Sequence, residues 1–212
     1  LLSQNFTSAT NAYNVAVGYS AGYAVSTGEQ NTLIGGLAGD ALTDADYNVA
    51  LGSAALSSDT LGNRATALGT FALFSQNFQS ATDNYNVAVG YAAGNVITTG
   101  TLNTLVGGLA GDAITTANQN TAVGYSALGL TTTGVQNVAI GDHSLDANTT
   151  AHYNTAVGSH SLGANTTGTG NSALGKGSLG ANTTGDNNVA VGANALDANT
   201  TADNNTAVGY AS

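Results

Sequence analysis

The chain has 212 residues, 29 of them Gly, with no Pro, Cys, Met or Trp and only 7% charged residues, against the roughly 25% usual in soluble domains. Two Lys/Arg face 12 Asp/Glu, giving a net charge of −10. That balance excludes neutralising a nucleic-acid backbone or holding an anionic membrane, and the missing Cys excludes disulfides, thiol nucleophiles and thiolate metal sites. A 42% hydrophobic content without Pro argues against disorder. No run is long and apolar enough to span a bilayer. With no Met even at position 1, the sequence is expected to be a slice of a longer array.

Read in chain order, one short motif dominates. It is Asn, Val or Thr, Ala, an aliphatic residue, then Gly, first complete at Asn14, Val15, Ala16, Val17 and Gly18. Its glycines are Gly18, Gly35, Gly52, Gly69, Gly90, Gly107, Gly124, Gly141, Gly158, Gly175, Gly192 and Gly209. The step is 17 residues everywhere except from Gly69 to Gly90, where it is 21. Residues 1–72 resemble residues 73–144, each copy opening near SQNF and carrying GGLAGDA. Residues 145–212 are regular coils. The whole chain therefore reads as a single repeat array.

Each apolar run is short, β-branched and bounded by Asn and Gly, which predicts a strand of about five residues. A second short strand is expected after the Gly, followed by polar turns. One such unit cannot fold alone, because ordering 17 residues costs at least roughly 17 kcal/mol of backbone entropy while burying one Val and one Leu returns only about 3–6 kcal/mol. Stacking solves this. The predicted fold is all-β, a parallel β-solenoid of about twelve 17-residue coils. The Gly suits a corner that needs positive φ or admits no side chain. The Asn suits a left-handed turn and a ladder of amides along the axis.

Alternate strand residues point to opposite faces. The aliphatic residue before each Gly shares one face with the Val or Thr two earlier. The residue between them takes the other: Ala16, Leu33, Ala50, Ala88, Leu105, Ala122, Ala139 and Ala156. This second face is small, apolar and never charged. It is the expected oligomer interface, covered by an identical chain.

Few residues suggest chemistry. Asp40, Asp112, Asp146 and Asp197 recur five residues after the Gly, and Glu29, Asp46, Asp186 and Asp203 eleven after. No Ca²⁺-loop motif accompanies them, so a solvated, association-resistant edge is the simpler reading. His143 and His160 hold the same position in consecutive coils and should stack, which makes them the candidates for a metal. Other coils place Ser20, Ala54, Phe71 or Leu109 there, which argues for a turn. No nucleophile is paired with a base, so no catalytic residue, enzyme activity or cofactor is assigned. Aromatic residues are the better lead to a binding surface. Phe74, Phe78 and Tyr85 crowd the 21-residue coil, and Phe6 and Tyr13 are their counterparts near the N-terminus. They either form a binding surface on the longer loop or pack down onto the solenoid.

The stretch DNNVAVGANAL, with Asn188 to Gly192 at its heart, resembles the head repeat of YadA-like trimeric autotransporter adhesins. NTTGDNNVAVG and NTTADNNTAVG are also similar to repeats of bacteriophage tail fibres. The resemblance covers essentially the whole chain, although its 17-residue coil exceeds the family's usual 14–15. It implies a left-handed β-roll in a homotrimer. It also implies an extracellular place on a bacterial surface or a virion, and a structural and adhesive role towards a cell-surface receptor or glycan. No nucleic-acid partner and no membrane insertion by this segment are expected. Two alternatives stand beside this reading. One is a monomeric ice- or surface-binding solenoid using stacked Thr such as Thr149/Thr150 and Thr166/Thr167. The other, weaker, is a solenoid acyltransferase.

Overall fold

A computed structural model describes residues 2–6 and 11–212. Every strand in it is parallel to its neighbours. Twelve three-residue strands, Val15–Val17, Thr32–Ile34, Val49–Leu51, Thr66–Leu68, Val87–Val89, Thr104–Val106, Thr121–Val123, Val138–Ile140, Thr155–Val157, Ser172–Leu174, Val189–Val191 and Thr206–Val208, form one sheet in chain order. The register is fixed, each strand pairing residue for residue with the next coil, as in Ala122 with Ala139 and Ala139 with Ala156. The fold is a parallel β-solenoid of about 11 turns. A second, two-stranded sheet pairs Gly62–Asn63 with Thr82–Asp83 beside the long coil.

The corner glycines answer to both expected constraints. Gly124 has φ +139°, and a Cβ there would sit 2.5 Å from the carbonyl oxygen of Gly141 one coil on. The same closeness lets each corner amide bond the coil before it, as Gly141 N–H does to Val123 O at 2.8 Å. A side chain would push the coils apart and break that ladder. A Pro would remove a donor from it.

The second strand expected after the Gly does not form. The residues two and four after the corner are left-handed instead, for example Ser126 (φ 50°) and Leu128 (φ 56°), so the segment runs as successive tight turns. The asparagines also differ from expectation. They are not left-handed; the residue before each one is, as at Gln119 (φ 60°) ahead of Asn120. The Asn side chain points inward. Asn137 donates its backbone N–H to Asn120 Oδ1 at 3.0 Å, and its side-chain amide to the same oxygen at 3.2 Å and to Ala151 O at 2.9 Å. Repeated along the axis, this ladder satisfies the buried polar groups of each coil.

The strand-centre residues also point inward, which overturns the interface reading. Leu33, Ala50, Ala88, Leu105, Ala122, Ala139 and Ala156 are fully buried in the chain's own core, and Ala16 packs against it. Apart from half-buried Ala16 in the first coil, none is available to a second chain. A 17-residue coil encloses so narrow an interior that only Ala fits at most strand centres. The remaining volume is filled four and seven residues after the corner.

That filling comes in two complementary forms. Where the seventh residue is apolar (Val25, Leu42, Ile97, Ile114), the fourth is Gly (Gly22, Gly39, Gly94, Gly111). A Cβ on Gly39 would lie 2.8 Å from both Leu33 Cδ2 and Leu42 Cδ1. Where the seventh is polar (Asp59, Gln76, Thr131, Asn148, Asn165, Asn182), the fourth is a buried Leu (Leu56, Leu73, Leu128, Leu145, Leu162, Leu179). The buried asparagines make a second ladder, with Asn182 Nδ2 donating to Asn165 Oδ1 at 2.9 Å and to Gly185 O at 3.0 Å.

The 21-residue coil repairs a fault in the first ladder. Ala65 stands where every other coil has Asn, so the next coil lacks its acceptor. Asn84, supplied by the longer loop, takes over and accepts from Asn86 N–H at 2.9 Å. Behind it, buried Asp59 accepts from Gln76 Nε2 (2.6 Å), Gly62 N–H (3.0 Å) and Phe78 N–H (3.2 Å), while Gln76 Oε1 accepts from Asn86 Nδ2 at 2.8 Å. Four extra residues thus arrive with the hydrogen bonds that hold them.

Candidate functional site

With the strand centres turned inward, the flanking positions of each strand form the outer face. It carries Val, Thr or Ser three residues before each corner and Val, Ile or Leu immediately before it, with no charge anywhere among the twelve strands. Val17 is 58% exposed and Leu174 51%, and Val15, Leu51, Ile140, Val189 and Val208 are exposed as well. Twelve strands make this strip about 53 Å long and about 10 Å wide. The column just before the corners is aliphatic in every strand, while the column beside it is Val in five strands and Thr or Ser in seven. Tyr19, Tyr91, Tyr125 and Tyr210, each just past a corner, are exposed beside it.

The candidate binding aromatics do not converge. Phe78 is only 5% exposed and sits where a Cβ on Gly62 would meet its ring at 2.8 Å, so it belongs to the packing of the long coil. Phe74 is half-buried and stands edge-on to Phe71 (centroids 5.6 Å), which in turn faces Tyr91 at 6.2 Å. Tyr85 lies in a different group. Arg64 is 4.6 Å from the Tyr47 ring centroid and 5.9 Å from that of Tyr85, with its Nε 3.0 Å from Asp83 Oδ2. The Asp83 carboxylate raises the Arg64 guanidinium further above its ordinary value, chiefly through that hydrogen bond. Near the N-terminus, Phe6 is half-buried and Tyr13 is exposed. Sequence reasoning missed Arg64. Its one available signal was that a cation occupies the repeat position that holds Tyr47 and Tyr85 in the coils on either side.

His143 and His160 do stack, with ring centroids 5.4 Å apart and planes 20° from parallel. His143 also touches Tyr125 (5.4 Å) and shares a shallow cleft with Asp112, Ser126, Gly129 and Asp146. Burial raises the Asp112 carboxyl above the usual carboxylate range, partly offset by a backbone hydrogen bond. Among the other acids, Asp203 accepts the Asp186 amide at 2.7 Å and Asp40 accepts from Ser57 Oγ at 2.6 Å. Asp46 and Asp186 each accept a backbone amide from the preceding coil, at Glu29 (2.8 Å) and Thr169 (2.6 Å). The first Thr of each Asn-Thr-Thr is similarly engaged. Thr149, Thr166 and Thr183 donate to the carbonyl of the matching Thr one coil on, at 3.2, 3.1 and 3.0 Å. In these three pairs the second Thr (Thr150, Thr167 and Thr184) forms the exposed column.

No protein-family model matches the chain, and no curated protein or solved structure matches it at a significant level. Among the described residues, no helix is long and apolar enough to cross a membrane.

Proposed function

We propose that this segment is a stiff structural section of a homotrimeric extracellular fibre, displayed on a bacterial cell or a virion, that spaces and presents an adhesive surface. The observation that carries the reading is the outer strand face. It is uncharged over twelve strands, with an aliphatic residue before every corner that is half-exposed or exposed in the single chain. Three such faces meeting around a common axis would remove it from water, at about 25 cal/mol per Å² of apolar area. Continuous backbone and amide ladders resist bending, so the assembled segment acts as a rod rather than a linker. The rim left facing solvent is acidic and aromatic. Its richest patch is Arg64 between Tyr47 and Tyr85, a combination of ring faces and polar groups suited to a glycan or a cell-surface receptor. The proposal includes no catalytic role.

The test is a pair of outward substitutions, Val123→Glu and Val157→Glu. Both side chains lie on the outer face, so the interior ladders stay intact. The expected result is a trimer for the parent chain and a monomer of unchanged circular dichroism for the double variant. An unchanged assembly would remove the outer face from the interface.

A further inference from the structure

We infer that His143, His160 and Asp142 form a binding site for a divalent transition-metal ion, complete within one chain and independent of how chains associate. The backbone sets it up. His143 N–H donates to Tyr125 O and His160 N–H to Asp142 O, both at 3.0 Å, so the two histidines are held one coil apart. Both have the same left-handed backbone, φ 49° and 57°, and therefore project their rings in the same direction. One candidate ligand atom from each of the three residues lies within 4.8 Å of the other two.

Hydrogen bonds prepare the rings. His143 Nδ1 is 3.1 Å from Asp142 Oδ1, and His160 Nδ1 is 2.8 Å from Ser159 Oγ. In the tautomer that carries the proton on Nδ1, each ring's Nε2 keeps its lone pair for coordination, the usual arrangement of a metal-binding histidine and its orienting partner. Tyr125 packs on His143 and limits its rotation. Asp146 and Asp112 line the adjoining cleft and make it attractive to cations. Two imidazoles beside a carboxylate suit Zn²⁺, Ni²⁺ or Cu²⁺, whereas Ca²⁺ and Mg²⁺ favour oxygen ligands throughout. Bonds of about 2.0–2.1 Å to each nitrogen require the two rings, 20° from parallel, to rotate about χ2 so that their in-plane lone pairs converge on the ion, with water completing the shell.

The remaining histidine provides the control. His152 Nδ1 already accepts Val135 N–H at 3.0 Å in a different part of the coil. Titration of the intact chain with Zn²⁺ by calorimetry is expected to show one saturable site per chain. His143→Ala and His160→Ala should each weaken it by about tenfold or more, while His152→Ala leaves it unchanged and excess Ca²⁺ does not compete. Both substitutions should fold, because Ala54 and Ala92 occupy the same left-handed position in other coils. No saturable Zn²⁺ binding, or binding that survives the double variant His143→Ala/His160→Ala, would overturn the assignment.

Discussion

Coils near Leu42 and Ile114 and coils near Asn165 and Asn182 have the same backbone and different interiors. In the first group a Gly four residues past the corner makes room for an aliphatic side chain seven past it. In the second, Leu fills the fourth position and a hydrogen-bonded amide the seventh. The outer strand face is uncharged over both, with an aliphatic residue before every corner. Interior volume is thus exchangeable between two positions, provided that the total is kept and every buried amide finds a partner. Neither the corner glycines nor the outer face takes part in the exchange.

Crossing the two interiors should expose this difference. Ile114→Asn puts an amide against Ile97 one coil back, which offers no acceptor, and against Thr131 one coil on, whose hydroxyl already pairs with Asn148. It also leaves the space beside Gly111 unfilled. A loss of about 3 kcal/mol is expected in urea unfolding. The reverse change, Asn165→Ile, crowds Leu162 and takes an acceptor from Asn182, for an expected loss of about 2 kcal/mol. Adding Leu162→Gly recreates the aliphatic filling and should recover about half of that loss, a coupling that a double-mutant cycle reads directly. If the two changes simply added, the volume exchange would be refuted. The smallest effect concerns the turn before each inner Asn. Gln119 is left-handed there, as Asn187 and Asn204 are in later coils, so Gln119→Asn should raise stability by about 0.5 kcal/mol in thermal unfolding.

The period, the strand before each Gly and the parallel stacking are legible in the sequence, because a strict 17-residue spacing leaves no other way to bury so short an apolar run. Which side of the strand faces inward is less plainly written. Val and Ile suggest core and Ala suggests a close contact, so composition alone assigns the faces backwards. The deciding signal is the Asn four residues before each Gly. It lies on the same side as the strand-centre Ala, and an amide ladder must be inside. Leu33 and Leu105 carry a second signal, since each is matched by Gly four residues past the corner. The aromatic candidates could not be grouped from sequence. Whether Phe78 enters the coil depends on the Asp59 cluster, and that cluster joins residues far apart in the chain.

The central claim is that the outer strand face is covered by identical chains. Sedimentation equilibrium of the unmodified chain at micromolar concentration measures this directly. The account predicts a single species of three 20.7 kDa chains. A stable monomer of one chain mass, with its apolar strip open to water, would contradict it.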